Sequence, residues 1–144
     1  MERTDASESL FKEGFSCSQA VFAAFAPELE LDKETALKIA SSFGGGMAQM
    51  GEVCGAVTGA LMALGLKYGR TKARDIETKM RNYELVQEFF KRFKERHSSI
   101  ICKELLGLDM SVPEERTLIH ERKLTATECP KFVETAARIL ENLM

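Results

Sequence analysis

The apolar residues of this 144-residue chain recur with the period of a helix in nearly every segment, and this constrains the fold most. No segment alternates apolar and polar residues convincingly enough to indicate a β-strand. Glycine and proline interrupt the helical pattern and mark the helix ends. The pattern therefore predicts an all-α fold, a bundle of about five or six helices that forms a single domain over residues 1–144.

Turn and cap residues place the first three helices. A short amphipathic segment near the amino terminus ends at Gly14, which is suited to a left-handed cap. Ser16 and Gln19 fit the capping-box pattern, so a second helix should begin with Cys17. Asp32 is a suitable N-cap for the third helix.

One apolar helix should occupy the centre of the bundle. It is predicted over Val53–Tyr68, where glycines and alanines recur four residues apart and permit close packing. A flexible glycine-rich loop, Phe43–Gly46, precedes it and should let the backbone approach closely around Cys54.

A long helix follows, predicted from Thr71 to about Arg96, and a less ordered polar stretch from Asp109 to Thr127. At 1.5 Å per residue the helix would be about 39 Å long, so it could extend beyond the bundle and pair with a second copy in a homodimer. Its apolar stripe, which we interpret as core, consists of Ile76, Met80, Tyr83, Val86, Phe90 and Phe93.

Four cysteines, Cys17, Cys54, Cys102 and Cys129, each fall where a helix is predicted to begin. The first turn of a helix presents unpaired N–H groups and the positive end of the macrodipole, which favour thiolate over thiol. Metal ions, iron–sulfur clusters and disulfide exchange all require thiolates. Helix starts that converge would create a redox or metal site, whereas scattered ones would leave four small buried residues.

Charge and hydropathy exclude several classes of partner. Twenty basic residues against twenty-two acidic ones give a net charge of −2, which provides no basic surface for nucleic acid. The charged start Met1–Asp5 has no signal-peptide core behind it, and the longest apolar run, Val53–Leu66, is shorter than the roughly 20 residues of a membrane span. We therefore expect a cytoplasmic protein with no nucleic-acid or membrane partner. In that reducing compartment, cysteines more often serve metal binding or redox chemistry than structural disulfides.

Three kinds of chemistry fit four cysteines drawn from separate helices. A tetrathiolate site suits an iron–sulfur cluster or zinc. Two pairs of thiols could instead cycle through disulfides, because pairs close in space need no Cys-x-x-Cys motif.

His97, five residues before Cys102, is interpreted as a solvent-facing residue at a helix end rather than as a base or ligand.

The block Cys54–Gly59 carries a Cys-Gly-Ala-x-x-Gly signature, and the chain resembles the C_GCAxxG_C_C family of redox-active proteins on that basis. The blocks Gly14–Ala20, Cys102–Leu105 and Cys129–Val133 stand in the family's order around it. The resemblance implies that each of the four cysteines inherits a redox or metal-binding role. A related domain occurs with split-Soret-type cytochromes together with an iron–sulfur cluster, so the resemblance also implies a cluster.

The leading prediction is a small redox or electron-transfer protein that exchanges electrons with a redox partner protein. Cys17, Cys54, Cys102 and Cys129 would hold an iron–sulfur cluster or another metal. One alternative is a thiol–disulfide oxidoreductase or redox sensor without metal. Another is a structural helical interaction module, in which zinc could staple the helices. The sequence identifies no substrate and so assigns no enzymatic reaction.

Overall fold

The computed structural model describes residues 2–144, and within them helices form nearly all the regular structure. The helices of five residues or more are α1 Arg3–Glu13, α2 Cys17–Phe25, α3 Lys33–Ala40, α4 Gly55–Tyr68, α5 Ile76–His97, α6 Cys102–Leu106, α7 Pro113–Glu121 and α8 Cys129–Leu143. Shorter helical turns occur at Ala26–Leu29, Ser41–Phe43, Gly44–Met47 and Leu124–Thr127. The all-α class is confirmed, but eight such helices exceed the five or six expected.

The additional helices lie mostly in the polar stretch that was expected to be least ordered. Between Asp109 and Thr127 the chain forms α7 and the short turn before α8. Ile119 anchors α7 to the rest of the fold, because it is buried in a small cluster with Cys102 and Met110. Two adjacent apolar residues, Leu118 and Ile119, were too weak a signal to reveal this helix among so many charges.

The caps of the first three helices are as predicted. Gly14 ends α1 in the left-handed conformation, with a φ of 113°. The Ser16 backbone N–H donates to Gln19 Oε1 at 3.1 Å in the capping box at the start of α2. The Asp32 carboxylate accepts a hydrogen bond from the Thr35 backbone N–H at 2.9 Å and begins α3.

Helix α4 packs directly on α2, in which every residue except Gln19 is buried. A Cβ atom at Gly59 would lie 2.6 Å from the Ser18 carbonyl oxygen, and one at Gly55 would lie 3.2 Å from the Cys17 Cβ. Gly59 therefore requires glycine, because a side chain would push the two backbones apart, whereas a Cβ atom at Gly55 would make its neighbours shift by a few tenths of an ångström. The predicted close packing of this central helix is confirmed.

Helix α4 begins at Gly55 rather than Val53 because the preceding residues pair with another segment. Val53 forms an isolated antiparallel bridge with Ile101. Beside it, the Cys54 N–H donates to the Ile100 carbonyl at 2.8 Å. The Cys102 N–H donates to the Glu52 carbonyl at 2.6 Å. This bridge fixes the starts of α4 and α6 side by side.

The glycine-rich segment is a compact turn, not the expected flexible loop. Gly45 and Gly46 have φ values of 75° and 68°, which L side chains rarely adopt. The Gly46 carbonyl accepts a hydrogen bond from the Glu52 N–H. A Cβ atom on Gly46 would lie 2.6 Å from the Cys102 Cβ, so the closest approach is to Cys102 rather than to Cys54.

Helix α5 is buried only towards its carboxyl end. It begins at Ile76, later than expected, because the Asp75 carboxylate accepts a backbone N–H at 3.1 Å as the N-cap. Phe93 has no exposed surface, but Ile76, Met80 and Tyr83 are 53%, 47% and 48% exposed. The prediction that the whole stripe is core is wrong for these three residues. Their pairing with a second copy of the chain stays a prediction.

No helix in residues 2–144 combines the length and the apolar character that crossing a bilayer demands.

The close packing of α4 on α2 predicts different effects for two glycines of the same helix. Gly59→Ala should lower the free energy of unfolding by about 1–3 kcal/mol, because the new Cβ meets backbone rather than a movable side chain. Gly65→Ala is the matched control, since nothing lies within 4 Å of its Cβ position. It should stabilise α4 by up to about 1 kcal/mol through helix propensity.

Urea unfolding followed by circular dichroism measures both changes. Equal unfolding free energies for the two variants would contradict the packing described for Gly59.

Candidate functional site

The fold brings the four cysteines to one partly open cavity of about 510 Å³. Cys17, Cys102 and Cys129 are the first residues of α2, α6 and α8, and Cys54 is the N-cap of α4. The predicted placement at helix starts is confirmed. All four are buried and none forms a disulfide.

The remaining wall of the cavity is predominantly apolar. Within the described part of the chain, no Asp, Glu, Lys, Arg or His side chain lines it. The lining residues besides the cysteines are Phe11, Gly14, Phe15, Ser16, Gln19, Gly45, Gly46, Gly55, Leu105, Leu106, Met110, Thr125, Ala126 and Phe132. A negative charge on a sulfur in this cavity therefore has no cationic side chain beside it, and only hydrogen bonds can stabilise it.

One such hydrogen bond joins the side chains of Cys17 and Cys129. The Cys17 thiol donates to the Cys129 sulfur, which lowers the pKa of Cys129 although burial and the carboxylate of Glu128 oppose the shift. The same bond raises the pKa of Cys17 well above its usual value, because that thiol must give up its proton to ionise. Cys129 is consequently the thiol of this cavity that ionises most readily.

Burial dominates at the other two thiols. It raises the pKa of Cys54 to about 12, although the nearby backbone N–H groups of Ala56 and Val57 act in the opposite direction. It also raises the pKa of Cys102 to about 11, with smaller contributions from Cys129 and Asp109. The expectation that every helix start favours a thiolate is therefore wrong for these cysteines, because desolvation outweighs the helix-terminal N–H groups.

Polar side chains hold the Cys17 end of α2 against α3. Ser18 is completely buried, and its hydroxyl donates to the Ala40 carbonyl at 2.8 Å. The Gln19 amide donates to the Leu37 carbonyl at 3.1 Å. The capping-box pattern predicted only a capping role for Gln19 and no role for Ser18. The signal that could have identified Ser18 was a polar residue within an otherwise apolar helix.

His97 lies outside the cavity but is not the solvent-facing residue expected. Its ring packs against Phe93 and Phe132, with centroids 5.0 and 4.9 Å apart. Nε2 lies 2.8 Å from the Thr135 hydroxyl, and burial lowers the pKa of the imidazole. His97 contacts the candidate site only through the ring of Phe132, which lines the cavity.

The described side chains around the cavity are not prearranged for a metal ion. In residues 2–144, no three or more His, Cys, Asp or Glu side chains are arranged to hold a metal ion. Thiols must also lose their protons to coordinate metal, which the raised pKa values of Cys54 and Cys102 oppose. The structure therefore contains no ready-made site for a single ion such as zinc, and the binding of a cluster stays a prediction.

The chain was also compared with known proteins. A family model described as "Putative redox-active protein (C_GCAxxG_C_C)" matches residues 15–143, a span that contains all four cysteines. No curated protein and no solved structure matches the chain. The match covers nearly the whole chain and agrees with the resemblance carried by the Cys54–Gly59 signature. The chain belongs to the C_GCAxxG_C_C family.

Proposed function

We propose that the protein is a thiol–disulfide redox protein in which Cys17 and Cys129 form the reversible disulfide. The placement of these two thiols carries the proposal, because both border one cavity and the interaction between them lowers the pKa of Cys129. A reactive dithiol needs one thiolate that attacks and one neighbouring thiol that completes the disulfide. The family's description as redox-active supports the same chemistry.

The two thiols have different roles in this reaction. The Cys129 thiolate attacks the oxidised reactant and bonds to it. The Cys17 thiol then loses its proton and attacks the sulfur of Cys129, which breaks the bond between Cys129 and the reactant. The new S–S bond releases the reduced reactant, so two electrons leave the pair and both thiol protons are transferred. In the cytoplasm, a redox partner or a small dithiol would return the pair to the reduced state.

Cys54 and Cys102 remain protonated thiols in this proposal. Their raised pKa values make them poor nucleophiles at neutral pH, although both border the same cavity. The bridge between Val53 and Ile101 holds the backbones beside these cysteines. They complete the wall of the cavity rather than exchange electrons.

Oxidation should produce one particular disulfide. When the reduced protein is treated with a mild azo-type thiol oxidant, we expect peptide mapping under non-reducing conditions to find a Cys17–Cys129 bridge. Cys17→Ala or Cys129→Ala should abolish it, because each removes a sulfur of the contacting pair. Cys54→Ala is the matched control, since it removes a buried thiol of the same cavity and should retain the bridge. A Cys54–Cys102 bridge as the main product would contradict the proposal.

The order in which the thiols are alkylated should follow their pKa values. Cys129 should react with iodoacetamide at the lowest pH, whereas Cys54 and Cys102 should react only as the pH approaches their values of about 12 and 11. Cys17→Ala removes the hydrogen-bond donor and should shift the Cys129 alkylation profile to higher pH. Mass spectrometry of the labelled peptides measures both effects. Alkylation of Cys54 before Cys129 would be incompatible with the assigned roles.

A second candidate is an electron-transfer protein with an iron–sulfur cluster, favoured because all four cysteines border one cavity. Bound there, a cluster would supply one-electron transfer. Cys17, Cys54, Cys102 and Cys129 would hold it, and the backbone N–H groups at the start of α4, close to Cys54, would tune its potential. The apolar wall would limit the access of water.

Anaerobic purification with iron and sulfide analysis and a visible spectrum distinguishes the two candidates. The thiol–disulfide proposal expects a colourless protein with four titratable thiols. Stoichiometric iron and sulfide, with visible absorption that each cysteine-to-alanine variant loses, would establish the cluster instead.

A further inference from the structure

The cavity beside Cys17 and Cys129 has the size and wall of a site for an apolar small molecule. Its volume of about 510 Å³ lies within the range of about 300–1,000 Å³ that is typical of ligand pockets. Side chains of Phe11, Phe15, Met110 and others form its wall. This cavity is the most direct route by which a reactant can meet the two buried thiols.

The wall excludes charged reactants. It carries no cationic side chain to pair with a carboxylate and no anionic one to pair with an amine. A charged group that entered would lose hydration without compensation. The reactant is therefore an uncharged molecule with an apolar body.

Burial of the pair also argues against direct attack on a disulfide in a folded protein. Cys17 and Cys129 are only 9% and 7% exposed. The sulfurs of a second folded protein could not approach these atoms without rearrangement, whereas a small molecule can enter the cavity.

Two polar side chains of the wall, Ser16 and Gln19, are already engaged, which limits the kinds of oxidant that fit. Gln19 accepts hydrogen bonds from the Ser16 N–H and hydroxyl through Oε1. Its amide donates to the Leu37 carbonyl and the Ser41 hydroxyl. A quinone would need donors for its two carbonyl oxygens. A hydroperoxide needs only the thiolate and the neighbouring thiol at its reacting end.

We propose that the oxidant of the Cys17–Cys129 pair is an uncharged organic hydroperoxide whose apolar body lies in this cavity. This inference rests on the proposed thiol–disulfide function and names its substrate class.

The reaction conserves atoms and electrons. The Cys129 thiolate attacks the terminal oxygen of the hydroperoxide, the O–O bond breaks, and a sulfenic acid forms on Cys129 while the alkoxide takes a proton to become an alcohol. The Cys17 sulfur then attacks the Cys129 sulfur and expels hydroxide, which takes the second thiol proton and leaves as water. One hydroperoxide and two thiols thus yield one alcohol, one water and one disulfide. A dithiol able to enter the cavity reduces the disulfide again.

The test compares an apolar hydroperoxide with hydrogen peroxide. The reduced full-length protein is mixed with each under identical conditions, and thiol loss and the Cys17–Cys129 bridge are followed in time. Cumene hydroperoxide should oxidise the pair about tenfold faster or more, because its aromatic body gains binding energy from the apolar wall. Duroquinone serves as the uncharged quinone for comparison.

Two surface variants locate the effect in the cavity. Thr125 is exposed and lines the cavity, so Thr125→Asp adds a carboxylate to the wall without disturbing the core. It should lower the ratio of the rate with cumene hydroperoxide to the rate with hydrogen peroxide, a ratio in which any change of Cys129 acidity cancels. Thr127→Asp adds the same charge in the same helical turn but outside the wall, and it should keep the preference.

Each outcome has a distinct meaning. If the azo-type oxidant produces no Cys17–Cys129 disulfide, the proposed function itself fails. If that disulfide forms but cumene hydroperoxide is no faster than hydrogen peroxide, or duroquinone is faster than both, only the hydroperoxide assignment is overturned.

Discussion

The contact between two glycines of α4 and the first turn of α2 is the constraint on which the site depends. Gly59 lets the α4 backbone approach Ser18 to a distance at which no other residue fits, and Gly55 makes a further close contact with Cys17. This approach places the start of α2 and the start of α4 at one end of the bundle, with their cysteines facing the same space. The Cys-Gly-Ala-x-x-Gly signature thus has a physical reason, since its glycines serve packing and its cysteine serves the site.

The other two cysteines reach the cavity by different means. The bridge between Val53 and Ile101 carries the start of α6 to the start of α4, and Gly46 gives Cys102 the space it needs. Helix α8 positions Cys129 at the cavity, because its buried face packs against α1, α2, α4 and α5. The site is consequently a product of the complete fold rather than of one motif.

Local signals in the sequence predicted the helix caps and the cysteine positions, because a cap depends on residues three or four apart. Gly14, Ser16 and Asp32 behave as expected for that reason. The bridge at Val53 could not be predicted, since its partner lies 48 residues away and neither segment has a strand pattern. The acidity of the thiols could not be predicted from the sequence either. Helix starts can be read from the sequence, but the burial that raises the pKa of Cys54 depends on tertiary packing.

The positions of Cys17 and Cys129 near the two ends of the chain have a consequence for the whole molecule. A bond between their sulfurs would close a ring that contains most of the polypeptide, and closing so large a ring removes about 4–5 kcal/mol of conformational freedom from the unfolded chain. Thermodynamic linkage requires the reverse effect as well. A fold that holds the two sulfurs in contact favours their oxidation by the same free energy. Electron transfer at this pair and resistance to unfolding would therefore be two measures of a single equilibrium.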